Sequence, residues 1–253
     1  LIIRNSEKIS FSSESVKNKY LAQAYTMRAF VYFVMTRTWG DLIIRTEPVE
    51  STSADVTQKE RLSQADVFKL IKDDLNKAIG LFPDNAFATG RCYWSKPAAY
   101  ALMADVYLWT GKKLNGGASD FNQALSALNE VKKADLSLLP SFADVFSYSN
   151  KGNKEIVMSV KFKELESGNN YFQNMWIISS SVPGKIDDIT KNIIYPISGN
   201  GIMTISNVVR SQYTADDKRK TATFHEIYDY ATPEGKYVQS VILKGSGLVK
   251  SGT

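Results

Sequence analysis

Apolar positions recur at spacings of three and four through the first half of the chain and lose that period in the second. Between Glu14 and Thr38, the residues Val16, Tyr20, Ala24, Met27, Val31 and Met35 fall on one face of a helix, and this face is predicted to be buried. Tyr25, Phe30, Tyr32 and Phe33 fill other faces, so the helix is predicted to lie between neighbours. Ser12 or Ser13 caps its start, and Gly40 stands where a terminator belongs. A second helix starts near Ser63, where Asp66 completes a pair resembling a capping box, and it ends before Pro83. Its stripe is Val67, Leu70, Ile71, Leu75, Ala78 and Ile79. A third opens at Ser95-Lys96-Pro97, turns Ala98, Ala101, Leu102, Val106 and Trp109 inward, and closes at Gly111. A fourth starts at Ser119 with the stripe Phe121, Ala124, Leu125, Leu128 and Val131.

The third and fourth helices together occupy about 38 residues, close to the roughly 34-residue helix-turn-helix repeat of tetratricopeptide proteins. The first two look like a second pair with a longer, polar connection, "EPVESTSADVTQKERL". Two such hairpins side by side form a short solenoid, because neither buries its apolar stripe alone. Small residues (Ala24, Ala98, Ala101, Ala124) permit close helix approach. After Leu139 the texture changes. "EIVMSVKF" alternates and predicts a strand over 155–162. Breakers such as "ESGNN", "SSSVPGK" and "ISGNG" interrupt 164–201. A short helix is predicted over Thr204 to Tyr213 and a strand at "KYVQSVILK". The fold class is therefore mainly α. Tetratricopeptide-like hairpins (an α-α superhelix) occupy 1–139, and an irregular, partly β, loop-rich half over 140–253 packs on them as one integrated domain. The opening "LIIRNSEKISFSS" and closing "LKGSGLVKSGT" suggest a piece of a longer protein, incomplete at both ends.

Composition narrows the chemistry. Lys plus Arg exceeds Asp plus Glu by 31 − 26 = 5, a surplus spread along the chain that gives no reason to expect nucleic acid. Cys92 and His225 are the sole members of their types, which excludes Cys/His zinc clusters and makes any Ser-His-Asp triad rest on one residue. "HEIYD" lacks the second His of a zinc-protease helix, so His225 is assigned to the surface or a loop. Glu164/Glu166 and Asp187/Asp188 are neighbours in sequence, which does not place two carboxylates across a cleft, and Asp187 and Asp188 are taken as solvated charges. No catalytic residue, metal or cofactor is expected. No apolar run reaches the roughly 18 to 20 residues that cross a bilayer.

Binding signals are richer. "NNYFQNMWIISSS" sets Asn170, Tyr171, Phe172 and Trp176 among amides and hydroxyls on a loop, and Tyr195 and Asn200 add to the set. Sugar recognition needs this mixture: a flat ring packs on the apolar face of a pyranose while amides and hydroxyls bond its edges. The alternatives are that these rings plug the irregular half onto the helices, or that the same surface takes peptides. Trp94 is assigned as a staple against Ala98, and Trp39-Gly40-Asp41 as a structural turn rather than a ligand contact.

Four stretches in order resemble the SusD/RagB family of outer-membrane nutrient-binding lipoproteins of Bacteroidetes-type bacteria. They are "RAFVYFVMTRTWGDL", "VFKLIKDDLNKAIGLFP", "GRCYWSKPAAYALMADVYLWTGK" and "LLPSFADVFSYSNKGNKEIVMSVKF"; "YTADDKRKTATF" is similar in a less specific way. The chain departs from the family pattern at Leu42-Ile43-Ile44, where a proline is usual, and at Asp105, where an arginine is usual. The resemblance implies that the Arg-Ala-Phe helix is the inner wall of the helical half. It also implies a non-catalytic receptor on the cell surface, at the outer membrane, that binds oligosaccharide and delivers it to a SusC-like TonB-dependent transporter. Membrane attachment would come only through a lipid anchor absent from this chain. The alternative readings are the same receptor class binding peptides, and a tetratricopeptide scaffold for protein partners.

Overall fold

The computed structural model describes residues 1–162, 171–195 and 198–244. The described residues pack as two units, 1–137 with 156–159 and 138–155 with 160–244. The first unit is built on four long helices: α1 (Glu14–Trp39), α2 (Gln64–Leu81), α3 (Lys96–Lys113) and α4 (Gly117–Val131). α1 packs on α2, α3 on α4, and α2 joins the two hairpins through α3. This is the tetratricopeptide-like arrangement that the apolar period predicts.

The helix starts follow the capping signals. Ser13 Oγ accepts from the Val16 N–H, Ser63 Oγ from Asp66 and Ser95 Oγ from Ala98, at 3.3, 3.2 and 3.4 Å. Each satisfies an amide that the first turn leaves without a helical partner. α3 runs two residues past Gly111, where the sequence places its end. At Gly40 the backbone takes φ +75°, which ends α1 while the Thr36 hydroxyl donates to the Gly40 carbonyl at 2.9 Å. Asp41 then accepts from the Gln64 N–H at 2.9 Å, and Leu42 bridges to Leu62. The Trp-Gly-Asp sequence is thus a turn that ties the end of α1 to the start of α2.

The buried face of α1 is not the predicted one. Tyr20, Met27 and Val31 are 54, 47 and 44% exposed, and Val16 is exposed too. The seam against α2 is instead Ala22, Thr26, Ala29, Phe33 and Thr36, meeting Val67, Phe68, Ile71, Leu75 and Ala78. Those α1 positions also recur at spacings of four and three, two residues out of phase with the predicted stripe. Two residues are about 200° of helical turn, so the stripes lie on opposite sides of one helix. Small side chains select the buried one, because they let the axes approach. α4 repeats the lesson: Ala124 and Ala127 are buried, while Phe121, Leu125 and Leu128 are exposed. Trp94 packs on Phe30 (ring centroids 5.4 Å apart) as part of this core.

Both arginines of α1 have partners the sequence did not reveal. Arg28 Nε and Nη2 donate to the two carboxylate oxygens of buried Asp74 at 2.7 and 2.8 Å, a two-pronged pair across the α1–α2 seam. The hydrogen bond to Asp74 is the main cause that raises the Arg28 pKa. Arg37 lies 4.0 Å over the Phe33 ring and 5.6 Å over that of Trp109.

Residues 155–162 form no strand, contrary to their alternation. Arg91, which is buried and held at φ +51°, holds Ile156 and Ser159 instead. Arg91 donates to the Ile156 and Asp135 carbonyls at 2.9 and 2.8 Å, and its own carbonyl accepts from the Ser159 N–H at 3.0 Å.

In the second unit, β1 (Phe224–Asp229) pairs antiparallel with β2 (Lys236–Ile242), with an irregularity between Ile227 and Tyr228. Three short helices accompany them: α5 (Asp188–Ile194), α6 (Asn207–Ser211) and α7 (Lys218–Thr223). β2 and α6 fall within the predicted segments. β1 does not: no strand is predicted there, and His225 is expected at the surface or in a loop. His225 sits in that strand, half-buried, with Nε2 2.8 Å from the Thr190 hydroxyl. The core of the unit is Trp176, Ile177, Ile186, Ile194, Ile227 and Val241.

Two outcomes follow for stability. Asp74→Ala leaves Arg28 without its partner at a largely buried seam and is expected to cost about 3 kcal/mol in urea unfolding. Asp73→Ala, which removes only the exposed pair with Lys69, is expected to cost under about 0.5 kcal/mol. Burial pushes the His225 pKa below its ordinary value of 6.5, against the opposing pull of Asp187 and Glu226. The unfolded chain therefore takes up this proton more readily. Stability is full above pH 6.5 and falls as pH drops from there toward the lower folded pKa. His225→Asn is expected to flatten the fall in melting temperature between about pH 6.5 and pH 5.

Candidate functional site

The predicted binding stretch lies wholly in the second unit. Asn170 falls outside the described residues. Tyr171 and Phe172 belong to a helical turn, Tyr171–Asn174. From there the chain runs back against 198–203. The Asn200 N–H donates to the Gln173 carbonyl, Gly201 to Trp176, Gly199 to Ile177 and Met203 to Asn174, at 2.7, 2.8, 2.9 and 2.8 Å. Four amides anchored this way fix the path of both segments. Gly199 makes the approach possible: a Cβ there would sit 2.4 Å from the Trp176 carbonyl oxygen. The "ISGNG" breaker is thus a packing requirement, a role that a sequence reading for loops does not distinguish.

Trp176 is 2% exposed, and its ring fills the core of the unit. Its Nε1 approaches the Ile194 carbonyl at 3.5 Å, a long contact. A ring buried this way cannot stack on a sugar without leaving the core, so its ligand role is replaced by a supporting one. Tyr195 follows Ile194 directly and is 61% exposed. The Asn200 amide nitrogen donates to Asn174 Oδ1 at 2.9 Å, leaving the pair with a free carbonyl and remaining N–H groups at the surface. Gln173 and Ser198 are also exposed, and the Ser179 N–H donates to Ser198 Oγ at 3.3 Å. Asn174 and Gln173 were not singled out from the sequence. Their signal was the amide-rich composition of the stretch, which does not say which amides face water.

One cluster of this unit carries titratable and hydroxyl side chains in contact. The Asp187–Thr190–His225 trio has the residue types of a nucleophile, base and acid, yet its wiring is reversed. The Thr190 hydroxyl donates to Asp187 Oδ2 at 2.8 Å, so it accepts from the His225 Nε2–H. A hydroxyl whose proton is given to a carboxylate, and which faces an imidazole N–H, is not being activated by that imidazole. Asp187 also caps α5 by accepting from the Thr190 N–H at 2.7 Å, and this bond is the main cause that lowers its pKa. Asp187 is therefore a helix cap rather than a solvated charge; Asp188 pairs with Lys191 at 2.7 Å on the surface. Among the described residues no group of three or more His, Cys, Asp or Glu is placed to hold a metal ion. Among them, too, no helix is long and apolar enough to cross a membrane.

Residues 5–108 match the SusD-like family model described as starch-binding, associating with outer membrane. A SusD-like protein of Bacteroides ovatus is 27% identical over 245 residues, which is 95% of this chain and 41% of that protein. Among solved structures, B. fragilis NanU superposes with a TM-score of 0.86 at 29% identity, covering 99% of this chain and 52% of that one. A SusD superfamily protein of Bacteroides vulgatus gives 0.85 at 26% identity, covering 99% and 53%. A further relative, solved with xylogluco-oligosaccharide, gives 0.70 at 27% identity over 96% of this chain and 49% of its own. The chain thus spans about half the length of these relatives or less. The helical order, the four ordered motifs and these likenesses together support membership of this chain in the SusD/RagB family.

Proposed function

We propose that this chain belongs to a non-catalytic cell-surface receptor that binds oligosaccharide and delivers it to a SusC-like TonB-dependent transporter in the outer membrane. The observation that carries this reading is the Asn174–Asn200 amide pair, borne by two segments whose backbones are locked together, with the exposed Tyr195 ring following the Ile194 carbonyl that Trp176 approaches. Amides on a preformed backbone suit the hydroxyls of a pyranose, because little loop ordering opposes binding, and a flat exposed ring suits its apolar face. The related protein solved with xylogluco-oligosaccharide supports the ligand class. Asn170, Tyr171 and Phe172 remain proposed contacts on the same stretch, with Trp176 beneath it as support. Affinity is expected between micromolar and millimolar, as a few stacking and amide contacts leave only a small surplus over the cost of fixing a flexible sugar. No cofactor takes part.

The amides would serve a peptide ligand equally well, and that is the second reading. Calorimetry with a panel of neutral oligosaccharides, headed by xylogluco-oligosaccharide, and with a peptide library separates the two. Tyr195→Ala is expected to weaken glycan binding by about 0.5–1.5 kcal/mol, roughly two- to tenfold, with an unchanged melting temperature. Glycan binding that ignores Tyr195, or binding confined to peptides, would remove the assignment.

A further inference from the structure

Asn-Gly occurs twice in the chain, at Asn115-Gly116 and at Asn200-Gly201. The pair carries its own chemistry. Glycine has no side chain to hinder its backbone nitrogen, which reaches the side-chain carbonyl carbon of the asparagine before it. That nitrogen bonds to the carbon, the bond to the side-chain nitrogen breaks, and ammonia leaves with the glycine N–H proton. The product is a five-membered succinimide. Water adds to one of its two carbonyls and opens it to aspartate or isoaspartate. The reaction consumes only water. It requires a glycine N–H released from its hydrogen bond and an asparagine side chain able to turn.

The two pairs differ in both requirements. The Gly201 N–H donates to the Trp176 carbonyl at 2.8 Å, the Asn200 N–H to the Gln173 carbonyl at 2.7 Å and Asn200 Nδ2 to Asn174 Oδ1 at 2.9 Å. Nucleophile and electrophile are both held by the pairing of 173–177 with 199–203. Asn115 instead lies exposed in the connection between α3 and α4, and among the described residues its side chain has no hydrogen-bond partner. The Gly116 N–H makes one longer bond, 3.2 Å, to the Thr110 carbonyl at the end of α3. The turn also fixes which residues form this pair. Asn115 is held at φ +61°, a region that glycine and asparagine enter most readily. A Cβ on Gly116 would run into Asp120 Oδ2, which accepts from the Thr110 hydroxyl and from Lys72. No side chain fits at 116 while Asp120 keeps that place.

We propose that Asn115 is a site of spontaneous deamidation in the folded protein, and that the fold protects Asn200 from the same reaction. The product replaces a neutral amide by a carboxylate and lowers the net charge of +5 by one. This inference is independent of the glycan reading.

The test follows both sites by peptide mass spectrometry during incubation in mildly alkaline buffer, with the 253-residue chain native or unfolded in urea. In urea the two pairs are expected to react at similar rates. In the native chain Asn200 is expected to slow at least about tenfold and Asn115 less than about threefold, since a held amide reacts only when its contacts open. Asn115 slowed as much as Asn200, or Asn200 reacting at its urea rate, would overturn the proposal. Isoelectric focusing gives a second readout. Asn115→Gly, which accepts the positive φ without strain, is expected to abolish the acidic form that accumulates in the native protein, and its persistence would assign the reaction elsewhere. Should that variant fail to fold, hydroxylamine, which cuts the chain at a succinimide, decides on the unaltered protein. Cleavage after residue 115 alone is the expected result; cleavage after residue 200 to the same extent would end the proposal.

Discussion

Close approach of α1 and α2 is the constraint on which the first unit depends. The approach needs small residues at Ala22, Thr26 and Ala29, and two of the seam positions, Thr26 and Thr36, carry hydroxyls with no exposure. Those hydroxyls are spent locally, on the Ala22 and Gly40 carbonyls at 2.8 and 2.9 Å, so their burial leaves nothing unpaired. Arg28 and Asp74 then set the register. A pair of buried charges adds little net stability over an apolar equivalent, but any sliding of the helices would strand both. Once the register is set, the turn at Gly40 and the Asp41 cap fix where α2 begins. Tyr32, bonded to both backbone groups of Arg45, holds the returning loop.

Helix positions and caps were legible from local pattern because their causes are local. A serine three residues before an amide, or a proline in a first turn, acts within a few ångströms of itself. Which face of α1 is buried was not legible from apolar counting, since the exposed stripe is the more apolar of the two and points the opposite way. The discriminating property was size, and size matters only through a neighbour the count does not contain. Asp74 illustrates the same limit. In the sequence it is one of two adjacent aspartates on a helix; its partner Arg28 lies 46 residues away.

The second unit was legible in part, for a related reason. "EIVMSVKF" alternates as a strand does, but alternation states a preference for extended backbone and supplies no second edge. Arg91, at a backbone angle unusual for a non-glycine residue, gives that segment its hydrogen bonds instead. β1 escaped notice because polar His225 and Glu226 flank its start. Their polarity is met within the unit: His225 by Thr190, and Glu226 by Arg210 and Lys220 at 2.8 and 3.0 Å.

The division of labour around Trp176 follows from energetics. Burying an indole in the Ile177, Ile186 and Ile194 core contributes far more to the fold than a shallow stacking contact contributes to a weakly held sugar. The residue richest in apolar area is therefore drawn inward, and in the proposed receptor ligand contact would fall to what remains at the surface. Tyr195 is suited to that place because its hydroxyl is at home in water while its ring stays flat and apolar. The backbone pairing of 173–177 with 199–203 spends main-chain groups rather than side chains. Side chains on this frame are free to differ without loss of the frame, while Gly199 and Trp176 hold the frame itself.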